Sequence, residues 1–272
     1  MVDGLASSPP TVADASPRFL SMGDGNEVLQ VALNPGESVL ASENAFCYRG
    51  LGLQQEAQLT EFSALGRALG WIGLKHDKVV KWTNEGTSPT YVGLSTAIPG
   101  KVIPVDLMRS GSLLAKPQMF LCSVMANQVT GSKLALSPEG TFPQHTVPMR
   151  KITGTGMCYI QAGGAAVQKA LGRTESMMVE MGCVVAVSES CKIVAEERTG
   201  IIRDPPYPQG FVVKITGPGS VFVQSTHTGR FSKAVAAERS AQRVAGGGDM
   251  VKAAVVTLGI LVLLFAFLDV EV

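Results

Sequence analysis

The sequence predicts an all-β fold built from an internal threefold repeat, and three observations carry that prediction. The stretch "KITGTGMCYIQA" (Lys151 to Ala162) returns 63 positions later as "KITGPGSVFVQS" (Lys214 to Ser225). Apolar runs such as "SVLA", "MCYIQA", "CVVAV" and "VFVQS" are short and β-branched or aromatic, and Gly or Pro bounds them, as strands require. Thirty Gly and 15 Pro against 6% aromatic residues favour many short strands and tight turns over a helical bundle.

From the N-terminus, residues 1–26 are rich in Ser, Pro, Ala, Asp and Gly and carry no apolar signal-peptide core. They read as a disordered tail, with a plastid transit peptide as the alternative. Residues 27–230 read as the β domain, in repeats near 27–100, 101–172 and 173–230. Each repeat has two elements. The first is an apolar run, a Gly-containing turn and a second apolar run, beginning at Val31, Val105 and Met177. The second is the KIT element at Lys151 and Lys214, with a degenerate copy, "KWTNEGTSPTYVGLS", at Lys81. A repeat of about 70 residues implies units that share a core. Several runs are apolar at consecutive positions, which predicts strands covered on both faces.

Beyond the repeats, "GRFSKAVAAERSAQRVAGGG" predicts a helical linker over 231–249, ending on glycines. "AAVVTLGILVLLFAFL" (Ala253 to Leu268) then gives 16 uncharged residues. At about 1.5 Å per residue a helix there is roughly 24 Å long, and Met250 and Val251 lengthen it if Lys252 snorkels. Residues 250–268 therefore predict a membrane tail anchor; a buried core helix is the alternative. Arg239, Arg243 and Lys252 before it, and Asp269 and Glu271 after it, place the β domain on the cytosolic side.

Composition limits the chemistry. Net charge is +1 and no basic stripe is visible, which argues against nucleic acid as a partner. The five cysteines, Cys47, Cys122, Cys158, Cys183 and Cys191, form no CxxC and mostly sit in apolar runs, so they read as free thiols. No GxSxG, HExxH or GxxxxGK[ST] occurs, so no catalytic residue is assigned. His76, His145 and His227 lack the spacing of a metal site, and neither metal nor cofactor is expected. Gly154, Gly156, Gly217 and Gly219 mimic a phosphate loop. A dinucleotide fingerprint needs a third Gly opening a helix, however, and Tyr159 and Phe222 stand there instead, so a repeated β corner is predicted. Gln161 and Gln224 are polar positions in apolar strands. They read either as hydrogen-bond stitches between units or as ligand contacts near the repeat axis. Lys81, Lys151 and Lys214 recur at strand starts, either as solvated lysines or as a basic ring for anionic lipid.

The stretches "NPGESVLASENAF", "LGRALGW", "PGKVIPVDL", "GSLLAKPQMFLCSV", "ITGTGMCYIQAGGAAVQKAL", "VVAVSES" and "ITGPGSVFVQS" run in order from about residue 28 to 230. Together they resemble the AIM24 family (altered inheritance of mitochondria), with "FLCSV", "AGGAAVQK" and the apolar tail most like its plant and algal branch. The resemblance implies TRAP-like β-subdomains, related to the double-stranded β-helix, around a pseudo-threefold axis. It also implies a role in mitochondrial membrane organisation. This chain departs from the family pattern at "EMGCVV", where a Pro-Gly turn is usual. The loops "LSPEGTFPQH" and "RDPPYPQG" also depart, because a glycine-rich stretch is eroded there. The expected function is a non-enzymatic, membrane-anchored scaffold of the mitochondrial membrane, with the plastid envelope or another organelle as alternatives for place. A membrane-tethered small-ligand sensor is the alternative for activity. Protein partners are expected but not named by the sequence.

Overall fold

The computed structural model describes residues 18–58, 79–136, 146–196, 212–227 and 229–238. The chain divides into two units, Met1–His227 and Thr228–Val272. The described residues of Met1–His227 are predominantly β, as predicted, with one four-residue helix at Leu107–Ser110. The strands are β1 (Arg18–Met22), β2 (Val28–Leu33), β3 (Ser38–Ser42), β4 (Phe46–Arg49), β5 (Leu53–Gln58), β6 (Val79–Asn84) and β7 (Thr90–Ser95). There follow β8 (Gly100–Asp106), β9 (Leu113–Ala115), β10 (Phe120–Val124), β11 (Gln128–Ala135), β12 (Thr146–Thr153) and β13 (Met157–Gly163). The last are β14 (Ala166–Leu171), β15 (Ser176–Glu180), β16 (Val184–Ser188), β17 (Lys192–Glu196), β18 (Val212–Thr216) and β19 (Gly219–Gln224).

These strands pair into four antiparallel sheets, in the orders β1-β2-β7-β4, β5-β6-β3-β10-β13-β8, β11-β12-β9-β16-β19-β14 and β15-β18-β17. After β1, the same six-strand pattern recurs three times in strand order: β2–β7, β8–β13 and β14–β19. In each pattern a 3-10 turn (Glu43–Ala45, Pro117–Met119, Met181–Cys183) precedes the third strand. That strand then carries a bulge against the sixth, at Phe46/Tyr48, Phe120/Cys122 and Val184/Ala186. A bulge retained at the same place in three strands is a designed bend, not an accident of one loop.

Packing follows the alternation of side chains across each pleat. In β2, Leu29, Val31 and Leu33 are buried while the residues between them are half-buried. A first core cluster draws on sheets one and two, including Leu94, Trp82 and Leu121. A second draws on sheets two and three, including Phe120, Ile160 and Phe222. A third draws on sheets three and four, including Val187, Val213 and Val221. The two inner sheets are therefore covered on both faces. That is why β16 reads "VVAVS", buried at every residue, and why the sequence shows runs in place of alternation.

Three sequence expectations change. Residues 18–22, assigned to the disordered N-terminal tail, form β1. Pairing with β2 and a 4.3 Å stack of Phe19 on Tyr159 hold that strand in place. Strand β14 belongs with the third pattern, since it pairs with β19, so the second of the three repeat units (called units from here on) ends near residue 163 instead of 172. The third copy of the first element is displaced by one strand. "MMVEMGCVV" is a strand, 3-10 turn and strand (β15 and β16), equivalent to β3 and β4. The true counterpart of the Asn34–Glu37 turn is Gly172–Glu175. In both turns a glutamate caps the first residue's amide: Asn34 N–H donates to Glu37 at 2.8 Å and Gly172 N–H to Glu175 at 2.7 Å. The missing Pro-Gly at "EMGCVV" is thereby explained, because no hairpin turn lies there. Strand pairing joins the first unit to the second and the second to the third. Among the described residues it does not join the third to the first.

Within Thr228–Val272, residues 229–238 are helical, and Phe231 and Val235 are exposed. The predicted membrane segment, 250–268, lies outside the described residues. Among the described residues no helix is long and apolar enough to cross a membrane.

Candidate functional site

The repeated KIT element is a corner between sheets. Strand β12 lies in sheet three and β13 in sheet two; β18 lies in sheet four and β19 in sheet three; β6 lies in sheet two and β7 in sheet one. At each element the chain leaves one sheet and enters the one stacked on it, which demands a tight turn. Gly154 and Gly219 adopt φ of +140° and +150°, a region that disfavours any side chain. A Cβ at Gly156 would strike Val124, and one at Gly217 would lie 2.6 Å from the Leu171 carbonyl oxygen. The corner opens into a strand, so no helix N-terminus faces it to hold a phosphate.

Buried polar side chains fasten these corners. Asn127 accepts from the Gly156 N–H at 2.9 Å and donates to Ser123 and to the Met157 carbonyl. Asn84, fully buried, plays the same part in the first unit. It accepts from the Gly86 N–H and donates to the Leu33 and Ser88 carbonyls. In the third unit the Ser188 hydroxyl accepts from the Ser220 N–H at 3.0 Å. Sequence reading missed all three, although each contact joins a short polar residue to a turn glycine or its neighbour.

Gln161 and Gln224 are both buried and both bonded to backbone. Gln161 Oε1 accepts from the Ala97 N–H at 2.7 Å and its Nε2 donates to the Gln118 carbonyl at 2.6 Å. Gln224 Oε1 accepts from the Gly163 N–H at 2.9 Å and its Nε2 donates to the Thr226 carbonyl at 2.6 Å. Ala97 and Gly163 occupy the same place, at the end of the sixth strand of the preceding unit. Each glutamine therefore bonds the unit before its own.

The three lysines do not share one sheet. Lys81 lies in β6, Lys151 in β12 and Lys214 in β18, in sheets two, three and four. Lys151 pairs with Glu189 at 2.6 Å, while Lys214 is exposed. Of the histidines, His227 is buried against Gly182 and lies 3.1 Å from Glu180; His76 and His145 lie outside the described residues. None of the five cysteines forms a disulfide. Burial pushes the Cys122 and Cys158 thiols up, so both stay protonated as small core residues. Among the described residues no group of His, Cys, Asp or Glu is placed to hold a metal.

Two charged residues that the sequence did not single out are structural. Glu27 accepts from the Val102 N–H at 2.6 Å, from Lys101 at 3.0 Å and from Ser21 at 3.3 Å. Burial alone would raise its carboxyl. The Val102 amide, Lys101 and Ser21 more than offset this and hold it below the usual value. Lys116 is 6% exposed and donates to the Met181 carbonyl, across the junction of the second and third units. Desolvation lowers its pKa to about 8 from 10.5, with the nearby Cys183 acting the other way. Below pH 8 folded and unfolded chains both keep this proton, and the buried charge costs stability. Between pH 8 and 10.5 only the unfolded chain keeps it, so stability rises with pH. The stability gap between wild type and Lys116→Met should therefore shift by about 3 kcal/mol in favour of wild type across that window. Urea unfolding of both chains at several pH values measures this. A gap that does not move with pH would contradict it.

These features define a class: an internally repeated all-β domain whose buried polar groups bind its own backbone. The chain belongs to the AIM24 family, described as mitochondrial biogenesis AIM24, whose model matches residues 19–226. Among solved structures, an X-ray structure of a protein from Streptococcus pyogenes is similar, with a TM-score of 0.64 and 16% identity. The match covers 82% of this chain and 100% of that one, and it supports the fold alone. No curated protein matches the chain.

Proposed function

We propose that this protein is a non-enzymatic scaffold. In this reading its three-unit, TRAP-like β domain docks proteins or anionic lipid headgroups at an organelle membrane, and residues 250–268 hold it there as a membrane-spanning helix facing the domain to the cytosol. The three units are successive subdomains related by a repeat axis. The family's description, mitochondrial biogenesis, supports the mitochondrion as the organelle. The observation that carries the reading is the internal commitment of the buried polar side chains: the repeated Gln161 and Gln224, and Asn84 and Asn127, all bond the chain itself. What remains for partners is the surface, together with a 16-residue uncharged block that suits a bilayer.

Flotation with phosphatidylcholine vesicles, with and without an anionic lipid, tests the reading. The full chain should float with both kinds of vesicle. A chain lacking residues 250–272 should stay at the bottom of the gradient with neutral vesicles. Equal flotation of the two chains on neutral vesicles would sink the anchor.

A further inference from the structure

Each inner sheet exists because two units pair edge to edge. In sheet two, β3 pairs with β10 in the register Ala41↔Cys122, Leu40↔Ser123 and Val39↔Val124. In sheet three, β9 pairs with β16 as Ala115↔Ala186, Leu114↔Val187 and Leu113↔Ser188. Counted from the 3-10 turns, the two registers are identical. The outer sheets hold the two halves of a third such junction. Sheet one ends on β4, the counterpart of β10 and β16. Sheet four ends on β15, the counterpart of β3 and β9. Among the described residues, neither strand pairs on that side. β1 extends the opposite edge of sheet one and leaves β4 open.

Burial shows how much these edges lack. β10 is buried at four of its five residues and β16 at all five, but in β4 Phe46 is 45% exposed and Cys47 and Arg49 are exposed. Met178 in β15 is 46% exposed, where its counterpart Leu40 is 8% exposed. Open, apolar strand edges invite pairing with another chain. Among the described residues no core cluster joins sheets one and four, so one chain does not close the junction on itself.

We infer that β15 of one copy pairs antiparallel with β4 of a second copy, in the register Val179↔Tyr48, Met178↔Arg49 and Met177↔Gly50. The pairing joins sheets one and four across the chain boundary into a seven-stranded sheet, the six-stranded pattern of the inner sheets plus β1. The occupant is a second copy because the chain already makes this junction twice within itself, strand for strand and residue for residue. The contact is head-to-tail, so repetition yields a ring or a filament and not a two-fold dimer. The inference rests on strand order and stands whether or not residues 250–268 meet a membrane.

The test is sedimentation of the full chain in detergent, with a variant blocked at one edge. At the second junction the Lys116 N–H donates to the Val185 carbonyl and the Glu189 N–H to the Ser112 carbonyl. Alternation then points the Leu114 N–H across the junction, and with it that of its counterpart Met178. Met178→Pro removes this donor while sparing the ladder to β18. Met178→Lys tests the same edge without a backbone change. Wild type should form oligomers at micromolar concentration, and both variants should be monomeric with unchanged circular dichroism. In a Cys47→Ser background, chains carrying Val179→Cys mixed with chains carrying Tyr48→Cys should form a disulfide-linked heterodimer, and neither should cross-link alone. A monomeric wild type, oligomers that survive both edge variants, or self-cross-linking of either cysteine variant would each overturn the inference.

Discussion

In the Met178→Lys background, which leaves β4 an open edge, Phe120→Ala should lower the unfolding free energy by about 3–5 kcal/mol, while Phe46→Ala at the same repeat position should cost about 1 kcal/mol or less. Phe120 is fully buried at the start of β10 and belongs to the cluster between sheets two and three. The Arg150 guanidinium lies 5.4 Å above its ring. Truncation there leaves a cavity that two well-packed sheets cannot collapse to fill. Phe46 also begins the third strand of its unit, but that strand is an open edge; its ring stacks on Trp82 at 5.2 Å with one face in solvent. The difference between the two variants isolates burial from residue type. Urea unfolding of both variants measures it, and equal costs would contradict the sheet order described above.

Much of this architecture was legible because its signals are local. Consecutive apolar residues in "VVAVS" mark a strand covered on both faces, and a strand-like run after Gly156 and Gly219 marks a corner in place of a phosphate loop. Other features depend on distant residues. Gln161 and Gln224 bond amides 64 and 61 positions away, so no window of sequence distinguishes a stitch from a ligand contact. β1 lies in a Ser- and Asp-rich segment and is a strand only because β2 and Tyr159 receive it. The third unit was read one strand out of place because Gly172–Glu175 keeps the capping glutamate of Asn34–Glu37 but not its Pro-Gly. The recurring Lys81, Lys151 and Lys214 marked equivalent strand positions correctly, yet equivalence in a stack of sheets places them in different sheets and not around one site.

The domain's standing as a scaffold depends on its repeated polar residues serving the fold, and Gln161→Met and Gln224→Met probe this most directly. Methionine keeps the length and much of the volume of glutamine but neither donates nor accepts strongly. Gln161→Met strands the Ala97 N–H and the Gln118 carbonyl; Gln224→Met strands the Gly163 N–H and the Thr226 carbonyl. An unpaired buried group costs about 1–3 kcal/mol and one that water reaches costs less; Gly163 is buried whereas Ala97 and Gln118 are exposed, so Gln224→Met should lose about 2–4 kcal/mol and Gln161→Met about 1–2 kcal/mol. Ser95 holds the equivalent position in the first unit and is only half-buried, so Ser95→Ala should change little. The decisive measurement is urea unfolding of the three variants beside wild type. Losses of these sizes in the two glutamine variants, with Ser95→Ala near wild type, are the predicted result. Wild-type stability in both glutamine variants would contradict the structural role and return these positions to the ligand reading.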